Sequence, residues 1–353
     1  MTLITARLRA LGVVLHFGFT LPAIACQICV PLPTRTLADW LIDSDAVTLA
    51  REDPDQAYQL AAVELLKGPD DVPPVELFLD SSTRRALVKL PDYHVICVWS
   101  RDGEFAGWRR VGATKDATAH QLVAEILELA PTWRARPEER FDYFAQKLGQ
   151  PHPLVGPLAY LEIGKASYQR IRGLRGQVEP AKIRAFLGDI QMMEWHALYI
   201  LLLAGTGDPE DQEMIRVRID SIARTSIGFQ LAAWATALIE IDGSAGVTRL
   251  RELYTRRNKR TADEINAVRS ALQVHADGGR IDAMDAIVAA YGDLLETHAV
   301  LAPELADDLT RWQRFDHAAT FARWLDEAEQ ERVLEARIRY HLHQAATAPD
   351  PRP

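Results

Sequence analysis

The chain has 353 residues, 48% hydrophobic and 25% charged, an ordinary globular composition with enough length for two domains. Its formal net charge of −9 excludes general affinity for nucleic acid, which needs a basic surface. Past the first 25 residues no stretch is long and apolar enough for a membrane helix; residues 197–204 are far too few.

Residues 1–25 read as an export signal. Arg7 and Arg9 form the charged start, 10–21 the apolar core, and Ala23-Ile24-Ala25 puts small side chains at a cleavage site. Removing this acid-free leader makes the chain two charges more negative. The expected address is the periplasm or cell envelope of a bacterium. Three cysteines remain, Cys26, Cys29 and Cys97, and an odd count in an oxidising compartment leaves one to explain. Cleavage after Ala25 makes Cys26 the first residue, behind a loose version of a bacterial lipobox. A lipid on Cys26 leaves Cys29 to pair with Cys97, a bridge worth about 4 kcal/mol on the chain-entropy model. The rival bridge joins Cys26 to Cys97 and leaves Cys29 free.

The spacing predicts a first folded unit over 26–115. A short helix at 36–43 has Thr34 or Thr36 as its cap. Residues 45–50 lead into a first strand, and strand-like runs follow at 58–66, 75–79, 94–100 and 108–111, separated by turn clusters at 67–71 and 101–103. Five short strands with no long helix between them predict a five-stranded OB-like β-barrel. Cys97 falls on its most apolar strand.

From Asp116 the hydrophobic period becomes helical. Residues 116–150 read as linker helices, 118–129 and 138–148, joined by an elbow at 130–137 with a proline at each end; Phe141, Phe144 and Leu148 share one face of the second. Residues 151–344 read as a HEAT-like α-helical solenoid. A first helix spans 152–168, and Pro180 opens another. Gly207, Gly243 and Gly279 then fall thirty-six residues apart, each closing an apolar run, with Leu202, Leu238 and Val274 five residues before them. The unit is a helix pair too small to bury its own apolar face, so copies are expected to stack. Pro303 opens a further helix, 315–325 and 329–343 complete the array, and 345–353, with three prolines, read as a disordered tail.

Cys26-Gln-Ile-Cys29, the short helix and Ser44-Asp-Ala-Val-Thr-Leu49 resemble the start of the netrin-like domain of tissue inhibitors of metalloproteinases and their bacterial relatives. The resemblance covers about 26–112 and implies an OB barrel and zinc chelation in a target protease by the α-amine and carbonyl of Cys26. This chain departs from the pattern in its C-x-x-C spacing and in having only Cys97 downstream. Residues 151–343 are similar to HEAT-type repeats, with Asp142-Tyr-Phe-Ala-Gln-Lys-Leu148 and Ala159-Tyr-Leu-Glu162 as the lead-in.

Little else carries chemistry. Pro31 and Pro33 follow the C-x-x-C where a thioredoxin-type motif opens a helix. His341 and His343 lie on different sides of a helix, there is no H-E-x-x-H, and Gly205-Thr-Gly207 lacks a phosphate loop's lysine. Glu194 with His196, and Glu296 with His298, sit at helix ends and read as capping. Arg256, Arg257, Lys259 and Arg260 form the densest cation cluster, either a solvated helix end or a docking point for an acidic partner. Trp195, Tyr199, Trp234, Tyr291, Trp312 and Trp324 read as inter-repeat core, with one or two on a binding face. No cofactor, metal or catalytic set is expected. The expectation is a non-catalytic interaction module holding a protein partner on the helical array, with a metallopeptidase inhibitor acting through Cys26 as the alternative.

Overall fold

Thr36 and Asp39 close a capping box that starts helix α1 (Leu37–Asp43), and β1 (Ala46–Glu52) follows after a two-residue turn. The computed structural model describes residues 33–225, 228–327 and 332–348. β1 pairs antiparallel with β2 (Leu60–Lys67) and with β3 (His94–Ser100), and β3 with β4 (Gly107–Thr114). The result is a four-stranded open sheet of order β2-β1-β3-β4, not the five-stranded closed barrel expected from the strand count. The run at 75–79 makes a single bridge, Gln59 to Phe78. Pro73 and Pro74 supply no N–H to a ladder, and Ser81–Lys89 form a helix, so neither segment can close the sheet. That helix, α2 (Ser81–Lys89), starts because the Asp80 carboxylate accepts from the Ser82 and Thr83 amides. It is a second departure from the sequence reading.

The two faces of the sheet serve different cores. Val47, Leu49, Ile96 and Val98 face α1 and α3 (Ala117–Ala135), whereas Ala50, Val95 and Cys97 pack with Leu79 and Leu87 under α2. Arg51 donates to the carbonyls of Leu87 and Tyr93, tying the end of α2 to β1. The first core does not stop at the sheet. It runs on through α3, α4 (Pro137–Ala145) and α5 (Val155–Gly164) into the later helices, so 116–150 act as a packed layer rather than a tether. The expected elbow is shorter than read, because α3 continues through Pro131 to Ala135.

Past α5 the chain forms α6 (Tyr168–Arg172), α7 (Pro180–Gly188), a 3-10 turn (Ile190–Trp195), α8 (His196–Leu203) and α9 (Pro209–Thr225). There follow α10 (Leu231–Asp242), α11 (Ser244–Leu250) with a π turn (Arg251–Thr255), α12 (Ala262–Asp277) and α13 (Ile281–Thr297). The last helices are α14 (Ala302–Arg311), α15 (Ala318–Glu327) and α16 (Arg332–Thr347), the last covering 345–347 where a tail was expected. Gly207, Gly243 and Gly279 sit at the α8–α9, α10–α11 and α12–α13 junctions with positive φ of 74°, 55° and 68°, backbone that favours glycine. α8 packs on α10, α10 on α12, and α11 on α13. The apolar flank of each pair is thus covered by the next.

One segment departs from nearest-neighbour packing. The chain around α6 crosses the C-terminal ends of α8, α10 and α12. Tyr168 and Arg172 hydrogen-bond the buried Glu240 at 2.8 and 2.9 Å, Arg175 pairs with the same carboxylate, and Gln169 donates to the Gly278 carbonyl at 3.0 Å. Aligned helix C-termini carry partial negative charge, and this strap of cations offsets it.

Candidate functional site

A cavity of about 380 Å³ lies between α5, α7 and α8. Four rings wall it: Tyr160 from α5, Phe186 from α7, Trp195 from the 3-10 turn and Tyr199 from α8. Phe186 stacks on Tyr199 with centroids 3.8 Å apart and planes 18° apart. Tyr160 meets Trp195 edge-on at 4.6 Å. Such ring packing fixes the walls before any ligand arrives.

The floor is the turn at 149–153, rigid for identifiable reasons. Gly156 opens α5 so close to it that a Cβ there would come 2.5 Å from the Gln150 carbonyl oxygen. His152 Nδ1 accepts from the amides of Leu154 and Val155 at 3.1 and 3.3 Å, capping α5. Its Nε2 therefore carries the proton and donates to the Asp116 carboxylate at 3.1 Å, the same carboxylate that caps α3. Burial pushes the Tyr199 hydroxyl up to about 12, so it stays protonated. Lys182 and Asp189 are the charged groups at the mouth. The rim continues as exposed apolar surface: Ile190 is 80% exposed, and Met192 and Met193 beside it are also exposed. Methionine is unbranched and polarizable, and adapts to irregular partners.

The residues singled out in the sequence are dispersed. Cys26 and Cys29 lie outside the described residues, as do residues 1–25, where an export signal is expected. Cys97 is fully buried on β3, on the sheet face opposite α1, and burial raises its thiol to about 12. The cation cluster is largely spoken for. Arg256 pairs with Asp293 at 3.2 Å, Arg257 donates to the Glu252 carbonyl at 2.9 Å, and Arg260 donates to the carbonyls of Leu253 and Ala223 and to Glu264. Arg257 and Arg260 cap helix ends while Arg256 is held in its ion pair, and Arg257, Lys259 and Arg260 rim a shallow hollow. Trp195 and Tyr199 do meet in one place, with Tyr160 and Phe186, which the helical periodicity treats as ordinary core. The legible signal was the cluster Pro151, Pro153 and Pro157 leading into the first turn of an apolar helix.

Among the described residues no three His, Cys, Asp or Glu side chains converge as a metal site, and no helix is long and apolar enough to cross a membrane. Comparison with family profiles, curated proteins and solved structures finds no match.

Proposed function

We propose that this protein is an exported, non-catalytic interaction module of the bacterial cell envelope that grips a partner by an apolar anchor seated among Tyr160, Phe186, Trp195 and Tyr199. The observation that carries the reading is a preformed aromatic cavity opening onto an exposed methionine rim. Specific sites are concave, mostly apolar and given direction by a few polar groups, here Lys182 and Asp189. Binding rather than turnover is favoured because the lining holds no serine, threonine or cysteine, and both nitrogens of His152 are engaged. Export is supported by the sequence of 1–25, and the row of helix pairs supplies the platform.

Burying one aromatic side chain removes about 150–250 Å² from water. At about 25 cal/mol per Å² that is roughly 4–6 kcal/mol before the cost of association, so an isolated anchor binds in about the millimolar range. The test is saturation-transfer NMR with N-acetyl-phenylalanine amide. Transfer that is lost in W195A and F186A supports the reading. Equal transfer to both variants, with their folds intact by circular dichroism, overturns it.

A further inference from the structure

On its own surface the open sheet leaves a trough of about 770 Å³ on the face shared with Cys97. Its two long walls are both extended backbone. One is edge strand β2, unpaired on its outer side past Leu60; the other is segment 72–77, which leaves β2 after Leu60 donates to the Leu77 carbonyl at 3.0 Å. Because the Leu60 amide points outward to that bond, and Leu60 and Ala62 oppose Glu52 and Ala50 in one register, the Ala62 N–H and C=O also point outward, into the slot. An edge of this kind is a template for one more strand.

The charge and side chains around the slot narrow what fits. Asp53, Asp70 and Glu76 line it, and no lysine, arginine or histidine does. Pro73 and Pro74 remove two donors from the outer wall, leaving it rich in acceptors. Leu65 is exposed on β2, and Phe78, 74% exposed, stacks on Tyr58 at 6.0 Å at one end. Tyr58 holds φ at 64°, a conformation rare for an aromatic residue, and its amide donates to the Glu52 carboxylate at 3.1 Å.

We infer that this trough takes an extended, basic peptide segment, paired to the outer edge of β2 with lysine or arginine side chains against Asp53, Asp70 and Glu76 and apolar ones on Leu65 and Phe78. The surface is separate from the aromatic cavity, and the inference stands without it. The experiment titrates the full chain into a fluorescein-labelled decapeptide of alternating lysine and valine, with an alternating glutamate and valine decapeptide as control. Binding of the lysine peptide that weakens with salt, drops about tenfold in D70N/E76Q and about tenfold in A62P supports the inference. D70N/E76Q changes only exposed groups and leaves the fold as the reference; A62P removes one outward donor. Equal binding of the glutamate peptide, or binding unchanged in D70N/E76Q, overturns it. So does concentration-dependent dimerisation abolished by A62P, which would show the edge filled by a second copy.

Discussion

The aliphatic stem of Arg175 lies over Gly205 at the end of α8, where an added Cβ would come 2.7 Å from the Arg175 Cγ, and its guanidinium pairs with the buried Glu240 on α10. The absence of a side chain at 205 is what lets the strap reach the next helix. Glu240 answers Arg172, Arg175 and Arg280 together, so removing its charge leaves three neighbouring cations without the carboxylate they share. E240Q is expected to cost about 3 kcal/mol, the low end for breaking a buried pair because the arginines are partly exposed. Urea denaturation measures it; a loss under 1 kcal/mol would mean the strap is not held by charge. G205A should lower stability in the same direction, by less.

Acid should unfold this protein in two stages. His275 is buried with Nε2 2.9 Å from the Thr236 carbonyl, and burial depresses it to about 3; burial likewise holds His341 at about 4. Both pKa values lie below the unfolded histidine value near 6.5, so the unfolded chain binds more protons and stability falls as pH drops below about 6.5. Each histidine contributes a slope of up to about 1.4 kcal/mol per pH unit until its folded pKa is reached. Thermal melts from pH 7 to 4 should show this slope, reduced in H275N. A flat profile would refute it.

A second acid stage belongs to the junction of α1, α4 and α5. Asp39 meets Lys165 at 2.5 Å and Arg140 at 2.7 Å, and Arg140 reaches Glu162 at 2.8 Å while Thr36 donates to the same carboxylate. Burial works against Asp39, but Lys165, the Thr36 amide and Arg140 together hold it down at about 2. Its stabilisation is present above the unfolded value near 4 and is lost as pH falls toward 2. R140A should cost about 2–4 kcal/mol and abolish part of that low-pH loss. Unchanged acid titration by circular dichroism would show that the network is incidental.

The three junction glycines should respond unequally to alanine. Gly207 and Gly279 have open space, so alanine costs only the left-handed backbone, about 1–2 kcal/mol. At Gly243 the ψ of −130° lies outside that well, and an added Cβ would come 2.8 Å from the Asp282 carboxylate. G243A should be the most destabilising of the three in a denaturant series, and equal losses would contradict the geometry.

Cys97 should resist alkylation at pH 8 in the native protein, since it is both buried and held protonated. Denaturation without reductant then separates a free thiol, which reacts at once, from a bridge to Cys29 or Cys26, which reacts only after reduction. Rapid native labelling would show that the sheet face opens.

Sequence periodicity by itself determined the helix pairs: the thirty-six-residue glycine spacing marks the chain reversals, and the positive φ at each is a local backbone fact that needs no partner. It also placed the strands at 94–100 and 108–111 near their true positions, because an apolar run between turn clusters has few other outcomes. It could not decide whether the sheet closes. Closure depended on where 72–80 lie relative to β2, and a capping aspartate with a proline pair turned that segment into a helix start and an open wall. Nor could it see that Tyr160, Phe186, Trp195 and Tyr199 surround a void. Aromatics at helical spacing look the same in sequence whether they fill a core or line a cavity, and only the tertiary placement of three helices and one rigid turn leaves the space between them.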